Sequence, residues 1–255
     1  LIFMFRDGQS GKGNLVMNRY TLKSKTWTQI QSNLIDGENS RNAYWQAFVD
    51  HKGVIHISWV WRETWDVSTN HDLCYARSTD GGKTWINSSN QPYKLPITAS
   101  SAEYACKIPQ NSELINQTSM TADSKGNPYV ATYWREQGSD IPQYHVVFFD
   151  GKKWNSINLN FRKTAFSLKG GGTKSIPISR PQIVAYLKGK QVNLYLLFRD
   201  EERGSKVSIA KCSDVNNNKW IIEDLTTFPV GAWEPTYDTE LWKDKKQLNI
   251  FVQKA

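Results

Sequence analysis

Long apolar runs are missing from this 255-residue chain. No stretch of about eighteen apolar residues occurs, which excludes a transmembrane helix. Cysteine is scarce. Cys74, Cys106 and Cys212 are an odd number without metal-type spacing, so they give neither a disulfide framework nor a zinc site, and they do not set the redox compartment. A starting Met and a charged leader are absent too. The chain opens inside a strand-like run, "LIFMFRDG", and we expect that it lacks its true N-terminus. Convincing helical periodicity is not found. The glycine-rich "KGGGTK" at 169–174 lacks the strand and helix that flank a phosphate loop, and it reads as a long loop at a rim.

Aromatic residues are plentiful. They make up 13% of the chain, with 11 Trp, although only 39% of residues are hydrophobic. Such a chain either builds its core from few large side chains or shows them to sugars or bases. Thirty-two basic residues against 24 acidic ones give a net charge of +8. That balance suits an anionic partner, such as nucleic acid, acidic polysaccharide or anionic lipid, or it serves solubility alone.

Two landmarks recur. "TLKSKTW", "STDGGKTW", "FFDGKKW" and "SDVNNNKW" close on Trp27, Trp85, Trp154 and Trp220. Upstream of each lies an apolar run ending in Arg and an acid: "FMFRDG" (Arg6), "SWVWRE" (Arg62), "ATYWRE" (Arg135) and "LLFRDE" (Arg199). Both landmarks keep the same order at intervals of roughly 60–70 residues. Within the second unit, "YWQAFVD", "VIHISWVWR", "DLCYARS" and "TWINS" read as four strands joined by turns. Units of this length with four strands describe β-propeller blades. The predicted fold is therefore all-β, a single β-propeller domain over residues 1–255. The first unit starts at its second strand and the last stops after its second. The two partial units duplicate rather than complement each other. We expect about five blades of a propeller that is seven-bladed when complete, with a closed five-bladed ring as the alternative.

In "YARSTDGGKTW", residues 75–85, Gly81 and Gly82 supply the positive φ of a turn between the third and fourth strands. Asp80 accepts hydrogen bonds from turn N–H groups, and Trp85 packs between blades. This pattern, with "WVWRETWDVSTNHDLCYARSTDGGKTW", "LINQTSM…GNPYVATYWRE", "ISRPQI…LLFRDEERGSKVSIA" and "GAWEPTYD", resembles the BNR-repeat (Asp-box) propeller family, often labelled neuraminidase-like. The resemblance covers nearly the whole chain. It implies that the Asp80 turn is structural, on the rim away from the active site. It also implies an exported, seven-bladed enzyme acting on uronic-acid polysaccharide, because related propellers include ulvan lyases and the rhamnose–glucuronate lyases or hydrolases. A sialidase would need an arginine in a Phe/Tyr-Arg-Ile-Pro stretch, and "KIPQ" and "SIPIS" lack it. The expected function is cleavage or binding of acidic polysaccharide, by β-elimination if catalytic. A non-catalytic carbohydrate-binding propeller and a sialidase-like hydrolase are the alternatives. The expected partner is an acidic oligo- or polysaccharide rather than nucleic acid, and the expected state is a monomer, secreted or periplasmic. No cofactor is expected, and structural calcium has no signal in the sequence.

Uronate β-elimination needs a cation on the carboxylate, a base for the C5 proton and an acid for the leaving oxygen. Guanidinium groups suit the carboxylate. Arg6, Arg62, Arg135 and Arg199 occupy equivalent positions and could ring one mouth of the channel. They could instead form interblade ion pairs with the acids beside them, Asp7, Glu63, Glu136 and Asp200, and the "DEERG" neighbours of Arg199 could satisfy it locally. Among four histidines, His51 reads as solvated, His56 as packed and His145 as ambiguous. His71, in the polar loop "TNHDL", is the catalytic candidate. Related lyases carry an important His in an Asp-His-Asn stretch that this chain lacks, so the base stays open. Tyr44 is a candidate base or sugar contact at the start of an innermost strand, and Gln46 shares its face by period two. Gln117, Arg180, Trp233 and Glu234 open the innermost strands of later blades and are the remaining substrate-binding candidates, because large polar residues stand there in place of small apolar ones.

Overall fold

A computed structural model describes residues 1–116, 119–171 and 177–254. Its strands fall into five antiparallel sheets, each a meander in chain order. The first holds β1 (Ile2–Gln9), β2 (Lys12–Thr21) and β3 (Thr26–Ile35). The second holds β4 (Asn42–Val49), β5 (Ile55–Arg62), β6 (Asn70–Ser78) and β7 (Glu103–Cys106). The third holds β8 (Ser119–Ala122), β9 (Pro128–Arg135), β10 (Pro142–Phe149) and β11 (Trp154–Asn158). The fourth holds β12 (Gln182–Lys188), β13 (Gln191–Asp200), β14 (Lys206–Cys212) and β15 (Trp220–Asp224). The fifth pairs β16 (Thr236–Tyr237) with β17 (Ile250–Phe251) across a helix, α1 (Thr239–Lys245).

The sheets stack as propeller blades because their strands bury both faces. Residues of β5 alternate between two cores. Trp59 and Trp61 pack with Leu15, Met17 and Leu34 of the first sheet, while Val60 packs with Met120, Val130 and Trp134 of the third. Tyr133 and Tyr144 of the third sheet meet Leu196 and Phe198 of the fourth in the same way. Large rings thus fill the spaces between blades, as the Trp and Tyr content implied. The innermost strands touch around a common axis. The Ser119 hydroxyl accepts from the Ile183 N–H at 3.0 Å, and the Tyr237 hydroxyl donates to the Ile183 carbonyl at 3.3 Å.

The Arg landmarks lie on β1, β5, β9 and β13, the second-strand positions of successive blades. The Asp80 turn forms as its residues dictate. The Asp80 carboxylate accepts from the Ser78 hydroxyl, from the N–H groups of Lys83 and Thr84 and from the Thr84 hydroxyl. Gly82 has φ +93°, and a Cβ there would lie 2.3 Å from Met17 Cε. Trp85 is buried between the first two blades and donates its indole N–H to the Gly82 carbonyl.

Two expectations fail. The segment "TWINS" is not the fourth strand of its blade. Ile86 makes only isolated bridges, to Arg77 and Pro92, and the Asn87 side chain caps a tight turn by accepting from the N–H groups of Ser89 and Gln91. That turn lifts the chain off the sheet edge, and β7 fills the edge instead. The last unit also contains α1, where only strands were expected. Asp238 caps it by accepting from the Leu241 N–H, and Lys243 and Lys245 sit in its last turn, complementing the helix dipole. Seven residues are too few to display helical periodicity.

Candidate functional site

Arg6 and Arg62 converge on the phenol of Tyr44. Arg6 projects from β1, Arg62 ends β5, and Tyr44 lies two residues into β4. Arg6 Nη1 and Arg62 Nη1 lie 3.4 and 3.5 Å from Tyr44 Oη. Their guanidinium carbons stand 5.9 and 5.2 Å from its ring centroid. The Ser10 hydroxyl lies 3.4 Å from the same oxygen. Arg62 is buried and fixed by its own loop, donating through Nε to the Thr64 carbonyl and through Nη2 to the Trp65 carbonyl. Arg6, Gly8, Ala43, Tyr44 and Trp45 line an open cleft of about 320 Å³. Gly13 makes room for Arg6, because a Cβ there would lie 2.7 Å from Arg6 Cγ and Cδ.

The electrostatics follow from this crowding. Burial raises the Tyr44 pKa, but the Ser10 hydrogen bond and the charges of Arg62 and Arg6 outweigh it and lower the pKa below the ordinary tyrosine value. Burial is also the main cause of a lowered Arg62 pKa, and the Arg6 charge adds to it. A guanidinium still keeps its charge throughout the physiological range. Among the described residues, neither guanidinium forms an ion pair.

Three of the acids next to the strand-end arginines pair with other residues. Glu63 binds Arg41 and His71, Glu136 binds His145, and Asp200 binds Arg162. The expected four-membered ring of arginines is not assembled as one cluster. Arg135 donates to Glu113 and to the carbonyls of Ser139 and Asn111. Arg199 is buried and reaches back to the Pro177 carbonyl. Within the "DEERG" stretch, Asp200 binds Arg162 and Arg203 binds Asp224.

His71 lies on β6, opposite Trp61, rather than in a free loop. Its ring nitrogens meet Glu63 at 2.8 Å and Asp72 at 3.0 Å. Burial lowers its pKa, but the hydrogen bonds and charges of Asp72 and Glu63 outweigh this and raise it overall. Both ring nitrogens are thus engaged by carboxylates, and neither is turned to the Tyr44 cleft. Gln46, two residues beyond Tyr44, faces a separate cavity with Gln182, Tyr237 and Lys243. Arg180 and Glu234 bind each other at 2.6 Å across the joint between the fourth and fifth sheets. Trp233 is 50% exposed. Gln117 lies outside the described residues. Ser10, Gly13 and Trp65 escaped the sequence reading. Only Trp65 left a signal there, as a large ring in a polar loop three positions after Arg62.

A family model described as "BNR repeat-containing family member" matches residues 1–162. That is more than half of the chain, and the chain belongs to this family. No curated protein matches it. Among solved structures, it is similar to an ulvan lyase of a polysaccharide lyase family, bound to a repeat of glucuronate and 3-sulfated rhamnose. That similarity has a TM-score of 0.62 at 14% identity, over 87% of this chain and 52% of the lyase. A second polysaccharide lyase gives a TM-score of 0.58 at 13% identity, over 93% and 48%. A Penicillium chrysogenum α-L-arabinanase complexed with arabinobiose gives 0.52 at 13% identity, over 88% and 63%. The chain thus spans about half the length of the two lyases, and these likenesses carry the propeller fold.

Proposed function

We propose that this chain belongs to an exported polysaccharide lyase that acts on a uronic-acid-containing polymer at the Tyr44 cleft. The observation behind this reading is the convergence of two arginines, neither of them ion-paired, on one phenol of lowered pKa. Unpaired guanidinium groups beside an open cleft suit a carboxylate ligand. Bound to a uronate carboxylate, Arg6 and Arg62 neutralise it, so that charge developing at C5 is stabilised. Tyr44, as phenolate, takes the C5 proton. The electrons left on C5 form the C4–C5 double bond, and the C4–O4 bond breaks. The tyrosine then returns a proton to the departing O4. A polymer this large cannot cross a membrane intact, which is the basis for placing the activity outside the cell.

The test is incubation with a glucuronate–rhamnose polysaccharide, followed by ultraviolet absorbance of the unsaturated product. The wild-type chain is expected to generate that absorbance, and Tyr44→Phe and Arg6→Ala to lose it while keeping their melting temperatures. New reducing ends without the absorbance would refute elimination. A second reading is a binding-only propeller, favoured by the engagement of both His71 nitrogens. It predicts affinity without product, with Arg6→Ala again weakening the complex.

A further inference from the structure

Trp65 is 63% exposed, a large apolar side chain shown to solvent, and its backbone carbonyl is bound to Arg62, which itself reaches Tyr44. Its neighbourhood holds it rigidly. The Trp65 carbonyl accepts from Arg62. The Thr64 N–H donates to the Thr69 hydroxyl, and the Asp66 N–H to the Thr64 hydroxyl. Asp66 accepts from the N–H groups of Ser68 and Gly170, and the Val67 N–H donates to the Gly170 carbonyl. The indole rests on Gly170 and Gly171, where a Cβ would lie 3.6–3.8 Å from its ring carbons. It lies on glycine backbone and is otherwise largely open. A fixed aromatic plate costs little further entropy when something stacks on it.

We propose that Trp65 is a stacking platform for the pyranose ring next to the uronate bound at Tyr44. This assignment rests on the cleft reading above. The C–H-lined face of a pyranose is apolar, so it suits an indole, whereas the charged group of the neighbouring uronate suits Arg6 and Arg62. The shared Arg62–Trp65 hydrogen bond couples the two subsites through one loop. Trp65 thereby sets how strongly chain extension beyond the uronate is rewarded, and acts as a residue of specificity rather than of chemistry.

The experiment is calorimetric titration with oligosaccharides of alternating glucuronate and 3-sulfated rhamnose, as a disaccharide and a hexasaccharide. The proteins are wild type, Trp65→Ala, Trp65→Phe and Arg6→Ala. Trp65→Ala is expected to weaken the hexasaccharide about five- to tenfold and the disaccharide less than about twofold, with Trp65→Phe in between. Melting temperatures should be unchanged, because the side chain is exposed. Equal weakening of both ligands, or of neither, would overturn the platform. Failure of the cleft reading shows separately, as disaccharide affinity that Arg6→Ala leaves untouched.

Discussion

Gly13→Ala should cost affinity without costing the fold. The new methyl would sit 2.7 Å from Arg6 Cγ and Cδ, well inside van der Waals contact, and 3.2 Å from the Asp7 carbonyl oxygen. Backbone cannot yield cheaply there, since Gly13 opposes Gly8 in the β1–β2 ladder. The Arg6 side chain can yield, by leaving its rotamer at a cost of about 0.5–1.5 kcal/mol. Alanine regains about 0.4–1 kcal/mol by narrowing the unfolded ensemble, so net stability should change by under about 1 kcal/mol. The ligand loses more. A hydrogen bond to a charged group contributes about 1.5–3 kcal/mol, so Kd for a glucuronate oligosaccharide should rise about ten- to hundredfold. The assay pairs a thermal melt with calorimetric titration, and repeats both in an Arg6→Ala background. If Gly13 acts only by placing Arg6, the second substitution adds nothing in the double variant. Additive losses would refute the argument, as would a lowered Tm at unaltered affinity.

Asp80→Ala should lower stability by about 1–2 kcal/mol, from lost hydrogen bonds to an exposed turn, and leave ligand affinity unchanged. Burial opposes the shift at Asp80, but the turn donors outweigh it and bring its pKa to about 2. Its contribution is therefore present above the unfolded value of 3.8 and is lost as pH falls toward about 2, so melts of wild type and variant should converge in acid. His71 has the opposite sign. Its raised folded pKa gives stability that is full below the unfolded value of 6.5 and lost as pH rises through the folded value. His71→Gln should flatten that alkaline loss in thermal melts while the pH–rate profile of cleavage keeps its shape; a vanished limb in that profile would restore His71 as the base.

The blades were legible because their signals are local. Alternation within "VIHISWVWR" and the repeated Arg and Trp landmarks depend only on neighbours in sequence. The site was half legible for the same reason. Tyr44, Arg6 and Arg62 could each be singled out by position within a blade, but their meeting spans 38 positions and a blade boundary. Gly13 matters only through the space it leaves for a side chain of the neighbouring strand, which no local pattern reports. The partners of Glu63 were misjudged because adjacency in sequence puts Arg62 and Glu63 on opposite faces of the strand end, where each meets a different neighbour. In α1 the cap residue Asp238 was the available signal, and it stood between two strand-like runs.

The four strand-end arginines began as equivalents, and charge placement at the preceding inner strand separates them. In the third blade, Glu113 lies on the chain leading to β8 and takes Arg135 at a sequence separation of 22. In the second blade, the chain leading to β4 carries Arg41 instead, and it takes Glu63 at the same separation of 22. The sign is reversed and the target moves by one residue. Glu63 is thereby occupied, and among the described residues no carboxylate forms an ion pair with Arg62, although the Asp66 charge acts on it. In the fourth blade the corresponding stretch holds Arg180, which turns to Glu234 of the next blade, and Arg199 is buried and donates to the Pro177 carbonyl. A repeat thus supplies the same guanidinium at each blade, and one reversed charge separates the partners of Arg62 from those of Arg135.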